Sequence, residues 1–345
     1  MPARWGAVIL GLLAVLTLAR GANAAEPRSV AGLSKNLALE ESRSGAASPH
    51  LLPLLDRLAG AQFDDGALSE AADSRRRALK IALRAYGGDS TNAGNAMIAL
   101  ADVEILRHRY VAAEPLLTAA LPVLEARLGA ESPALAEPLA ALARIAVARG
   151  DLPAAEAWAG RANALARRLP ATASNEPLRV LGAIYAEEQR FDDGERVLRA
   201  AVARDRQSHG AASPELARSF AQLANLLLRA RHFDEALPVI EQAIAIDQER
   251  LGPAHPLIAD DFADLGLIYA GLGRDDDASQ ALYFAVDLLT RGAGEESTRL
   301  AYAELELSGV LRRLGQADDA NTAFTDGKRI LDRAANDERQ RERQI

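Results

Sequence analysis

An all-α solenoid of seven stacked helix pairs is the fold that this 345-residue chain predicts, on three observations. The first is a column of leucines, Leu58, Leu100, Leu142, Leu181, Leu223, Leu265 and Leu307, spaced by 42 residues except for one step of 39. The second is the company each leucine keeps. A small residue follows it (Ala59, Ala101, Ala143, Gly182, Ala224, Gly266, Ser308), and another lies thirteen residues on (Ala71, Ala113, Ala155, Gly194, Ala236, Ala278, Ala320). A third lies twenty on (Ala78, Ala120, Ala162, Ala201, Ala243, Ala285, Gly327). The last observation is a recurrent seam: Ser48-Pro49, Ser90-Thr91, Ser132-Pro133, Ser213-Pro214, His255-Pro256 and Ser297-Thr298, usually just past a glycine. Self-similarity at such a period marks a repeat array, in which each unit buries surface only against its neighbours.

In chain order, residues 1–25 read as a cleavable export signal. Arg4 gives a positive start, Gly6 to Ala19 is apolar, and Ala22-Asn23-Ala24 supplies small residues for cleavage after Ala24 or Ala25. The apolar run is too short for a comfortable membrane span of roughly 20 residues. Residues 26–48 form a lead in which 29–43 are expected to be the leftover second helix of a degenerate unit. The repeats follow over 49–331, each an antiparallel pair, helix A then helix B. In the sixth unit, Phe262, Leu265, Gly266, Ile268 and Tyr269 hold helical spacing until Gly271, Gly273 and Asp275 to Asp277 break the run. A second stripe then begins: Ala278, Ala281, Leu282, Ala285, Leu289. Small residues let the two backbones approach, and the leucine fills the seam to the next unit. At each junction glycine ends the incoming helix in the left-handed conformation, and Ser/Thr or Pro suits the start of the next. Glu176-Pro177 is the odd junction. Pro115 and Pro238 share one phase, expected near the start of helix B where proline costs least. From Asp332 the chain is polar, a solvated helix end or tail.

The pattern of a small residue after Leu, an aromatic three residues later, Ala in helix B and Pro near the exit resembles the tetratricopeptide repeat. The 42-residue period and junctions such as LGPAHP are similar to the kinesin-light-chain subtype. The resemblance implies a right-handed superhelix whose helices A line a concave, partner-binding face. Departures lie in two columns. The aromatic position reads Gln62, Glu104 and Ala146 in the first three units and Tyr185, Leu227, Tyr269 and Leu311 afterwards, so the N-terminal units are expected to be looser. The opening position of helix A is apolar in six units (Leu55, Met97, Leu139, Leu178, Phe220, Phe262) and Glu304 in the seventh, which is expected to act as a polar cap.

Carrying the family's inward phases onto this chain gives Arg144, Arg179, Asn225 and Arg229, with Arg218 and Gln222 close by, as the polar centre of a groove. Guanidinium groups in a groove favour a carboxylate-bearing segment through paired hydrogen bonds. The same arginines would equally serve as solvated or internally paired charges. The Lys/Asn clamp with which some family members grip a terminal carboxylate is not matched.

Catalytic and metal signatures are missing from the sequence: no GxSxG, HExxH, GxxxxGK[ST] or GxGxxG motif, and no cysteine. The five histidines are isolated, so no catalytic residue, cofactor or metal is assigned. Net charge is −8, and −10 once Arg4 and Arg20 leave with the signal. Scattered acidity of this kind disfavours nucleic acid and anionic membranes. Only Lys35, Lys80 and Lys328 are lysines, and with the heavy alanine usage this points to a GC-rich bacterial source and hence the periplasm. The expected function is a non-enzymatic, protein-binding adaptor. The alternative is a structural subunit of a secretion or export assembly in the cell envelope.

Overall fold

A computed structural model describes residues 29–168, 174–293 and 298–342; the expected leader over 1–25 lies outside them. Every regular element among the described residues is helical. A lead helix, α1 (Val30–Ser44), precedes the first pair, α2 (Leu52–Asp64) and α3 (Leu68–Tyr86). The second pair is α4 (Thr91–Leu106) and α5 (Tyr110–Leu128), the third α6 (Ala136–Ala148) and α7 (Leu152–Ala166). Next come α8 (Glu176–Glu187) with α9 (Phe191–His209), and α10 (Pro214–Arg229) with α11 (Phe233–Leu251). The array ends with α12 (Ala259–Gly271) and α13 (Asp275–Ala293), then α14 (Thr298–Arg313) and α15 (Ala317–Glu342). Consecutive helices pack against one another throughout, so α1 stands where the second helix of a preceding unit would be.

The repeat columns map directly onto packing. Six of the seven column leucines are buried, and Leu181, next to the shortened step, is half-buried. The alanines at both later columns lie at or near zero exposure. Size is the constraint. A Cβ on Gly182 would come within 2.5 Å of the Leu198 side chain, and one on Gly266 within 2.6 Å of Leu282. Pairs of helices therefore approach at distances that a larger residue would forbid.

Turn chemistry repeats with the same register. Gly45, Gly87, Gly129, Gly210 and Gly252 end helices with φ of 81° to 90°. Ser29, Ser90 and Ser213 then cap the next helix by accepting a backbone N–H, and Ser48 and His255 do so at short 3-10 turns. A second left-handed position sits between helices A and B of every unit: Gly66, His108, Gly150, Gln189, Arg231, Gly273 and Gly315. Three of these seven are not glycine, and each holds a conformation that costs an L-residue roughly 1 kcal/mol. Pro115 and Pro238 lie about one turn inside α5 and α11, so each removes a helical hydrogen bond rather than occupying the free first position.

The stack also curls back on itself. The α2–α3 turn meets the α11–α12 junction: His255 Nε2 lies 2.7 Å from the Phe63 carbonyl oxygen, and their rings are 5.8 Å apart. One unit along, His108 Nε2 is 3.2 Å from a carboxylate oxygen of Asp260 on α12. One superhelical turn thus closes, and helices A face inward.

Candidate functional site

The inner face is built by helices A, and its charges are shared between successive units. Arg144 on α6 reaches forward to Glu176 at 3.2 Å. Glu176, the first residue of α8, accepts from Arg179 Nε and Nη2 at 3.0 and 2.8 Å. Burial works to raise the Glu176 carboxyl, but Arg179 and Arg144, with Arg218 beyond them, outweigh it and hold the group down to about 2. It stays ionised.

Arg179 lies beneath the groove floor, only 3 % exposed. Its Nη1 points at the fully buried Asp205 on α9 and at Ser219, each at 3.4 Å. Asp205 also accepts from Asn175 Nδ2 at 2.5 Å and from Ser219 Oγ at 2.6 Å. A buried carboxylate needs this saturation. The odd Glu176 junction is thereby explained: Asn175 satisfies Asp205 instead of capping its own helix.

The remaining expected residues keep open surface. Arg218 is exposed and donates to Glu215 at 3.1 Å. Arg229 is exposed and engages both oxygens of Glu187, Nη2 at 2.9 Å. Gln222 is half-buried between them. Asn225 donates across the unit boundary to Asp264 at 2.9 Å. The structure therefore draws Arg144, Arg179 and Arg218 around one carboxylate, Glu176, while Asn225 and Arg229 belong to separate pairs. Of the two readings open in the sequence, a ligand-facing arginine cluster or internally paired charges, the arginines here each carry a resident acid.

Asp102, Tyr110, His108, Asp260 and Arg299 complete this face. Arg299 at the start of α14 donates to Asp260 at 2.6 Å and lies 3.9 Å from Asp264. Despite burial, Arg299 and His108 hold the Asp260 carboxyl well below its ordinary value. His108 Nδ1 is 3.3 Å from the Tyr110 hydroxyl. Across the groove, burial pushes the Asp102 carboxyl up to about 6 although Arg144 opposes it. Asp102 is nonetheless exposed, and Asp260 keeps 35 % of its side chain open, so both carboxyls remain accessible. Asp260 and Asp264 lie on the sixth helix A; His108, Tyr110 and Arg299 come into register with them only through the curvature. Among the described residues, no group of three or more His, Asp or Glu has metal-holding geometry, and no helix is long and apolar enough to cross a membrane.

Comparison with known proteins agrees with this architecture. The tetratricopeptide repeat family model matches residues 174–249 and 222–291. No curated protein matches the chain. Among solved structures, a Podosopora anserina protein of kinesin-light-chain type with nearly identical TPR-like repeats is 19 % identical at a TM-score of 0.44, covering 58 % of this chain and 96 % of its own. BtubC (BKLC) from P. vanneervenii is 20 % identical at a TM-score of 0.42, covering 79 % and 92 %. Such repeats mediate protein–protein interaction. The chain is an all-α solenoid of helix pairs, and its residues 174–291 match the tetratricopeptide repeat.

Proposed function

We propose that the chain is an exported, periplasmic adaptor that holds a segment of another protein in its concave groove and performs no chemistry on it. The observation that carries this reading is the row of half-open, prepositioned ion pairs along the inner face: Arg144–Glu176, Arg218–Glu215 and Arg229–Glu187. A guanidinium has five N–H donors, and the resident acids engage only some of them. An acidic segment would share those donors rather than displace the acids, and the charges are already in place when it arrives. Arg179 supports this surface from below.

A second reading, a structural subunit of an envelope assembly, is favoured by the C-terminal end. Phe324 on α15 occupies the phase of Leu117, Leu198, Ile240 and Leu282, all fully buried, yet Phe324 is 41 % exposed. An end-on neighbour would cover it.

Affinity capture from periplasmic extract separates the two. Under the adaptor reading, Arg218→Glu with Arg229→Glu loses a soluble partner and Phe324→Glu keeps it. Loss with Phe324→Glu alone would reject the groove in favour of the end face.

A further inference from the structure

We propose that the contact between the first two units and the sixth is a clasp that gates the groove, so that the inner face admits a bulky occupant only when this turn of the superhelix parts. That the occupant is a partner protein rests on the adaptor reading; the gate itself does not.

The contact joins three points across the turn, and two of them, His108 and His255, depart from the residue that most other units carry. At the left-handed A–B position, Gly150, Gly273 and Gly315 have nothing within 4 Å of where a Cβ would be, whereas a Cβ on Gly66 would lie 2.8 Å from Pro256. The corresponding residue one unit along, His108, holds φ at 55° at the expense of strain and points its imidazole at Asp260, 3.2 Å away. On the opposite side, the junction cap is serine at Ser48, Ser90 and Ser213 but histidine at position 255. His255 performs that capping with Nδ1, which accepts from the Leu257 N–H at 3.2 Å. Its Nε2 must then carry the proton and donates it to the Phe63 carbonyl at 2.7 Å. A serine would cap equally well and could not reach. Gln189 and Arg231 hold the same strained backbone elsewhere, so what distinguishes the clasp is that the strained His108 and the altered cap His255 both carry imidazoles that reach across the turn.

The same logic supplies a test that spares the fold. His108→Gly and His255→Ser restore the residues that other units use at these positions, so both turns keep their local geometry while the clasp loses its bonds. The chain has no cysteine, so Asp102→Cys places a single thiol on the inner face. Labelling with iodoacetamide reports access for a small reagent; a maleimide on a long polyethylene glycol chain reports access for a bulky one. In the otherwise unaltered chain the bulky reagent reacts slowly. In the His108→Gly/His255→Ser background it should accelerate about tenfold with the iodoacetamide rate unchanged, as the open fraction rises. Equal bulky-reagent rates in both backgrounds would overturn the gate. So would a parallel rise for both reagents, which reports loosened units rather than a parted turn. A gate that passes while partner capture fails rejects the adaptor reading alone.

Discussion

The first two units and the last four build the same helix pair from opposite chemistry, with Ala146 of the third unit between them. At the position four residues past the column leucine, the C-terminal units bury Leu227, Tyr269 and Leu311 and half-bury Tyr185. Arg190 and Arg274 stack on the two tyrosines at 4.3 Å. The N-terminal units bury Gln62 and Glu104 there instead. Gln62 accepts from Ser74 at 2.7 Å, and Glu104 receives Arg76 at 2.9 Å and Arg107 at 3.2 Å. The expected looseness is therefore replaced by specific polar pairs. An apolar residue in this column packs against whatever is near, whereas a polar one needs its partner in the same place. The family model matches within the region where the column is apolar or aromatic and not where it is polar.

The largest break should come from the shared column itself. Leu223→Asp forces a carboxylate into a seam that is 2 % exposed and should cost about 4 kcal/mol or more. A circular dichroism melt that did not move would refute the repeat register. Next comes the comparison proper. Leu227→Ala leaves a cavity at a fully buried site and should cost about 2–5 kcal/mol. Glu104→Ala removes the acid from Arg107, 12 % exposed, leaving it Ser69 alone among the bonds described, and should cost about 1–3 kcal/mol. Restoring the acid with Glu104→Asp should recover part of that loss, while Glu104→Leu should not; recovery by leucine would mean that the column is generic in both halves.

The smallest effect is a gain. Burial, with Asp326 nearby, pushes the Glu304 carboxyl from 4.5 up to about 7. The folded chain therefore holds a proton that the unfolded chain releases, so this stability is present below pH 4.5 and lost as pH rises through 7. Glu304→Leu should stabilise by about 1 kcal/mol at pH 8 and by less at about pH 5. A gap that narrowed as pH rose would contradict the assignment.

The helix pairs, their order and the caps were legible because each is set by residues within about 40 positions, where period, small-residue columns and junction chemistry agree. Arg144, Asn225 and Arg229 were expected on the inner face by phase, with Arg218 beside them. Their pairing was not. Glu176, Glu187 and Asp264 stand one unit away on neighbouring helices, and which acid meets which arginine depends on the rotation between units. Arg179 shows the limit of phase most sharply: its side chain lies buried under the floor and is turned toward Asp205. His108 and Asp260 share no local signal, since only the accumulated curvature joins them.

Solenoids ordinarily melt as linear chains, fraying one unit at a time from whichever end is weaker. The His255–Phe63 bond joins residues 192 positions apart. Closing a disordered loop of that length would cost on the order of 5 kcal/mol, but a rigid stack of folded units already delivers the two sides to each other. Should any unit between them unravel, the register is lost and the bond with it. Folding of this turn is then closer to all-or-none than its repeats alone would allow, and the closed contact reports that every unit in between is intact.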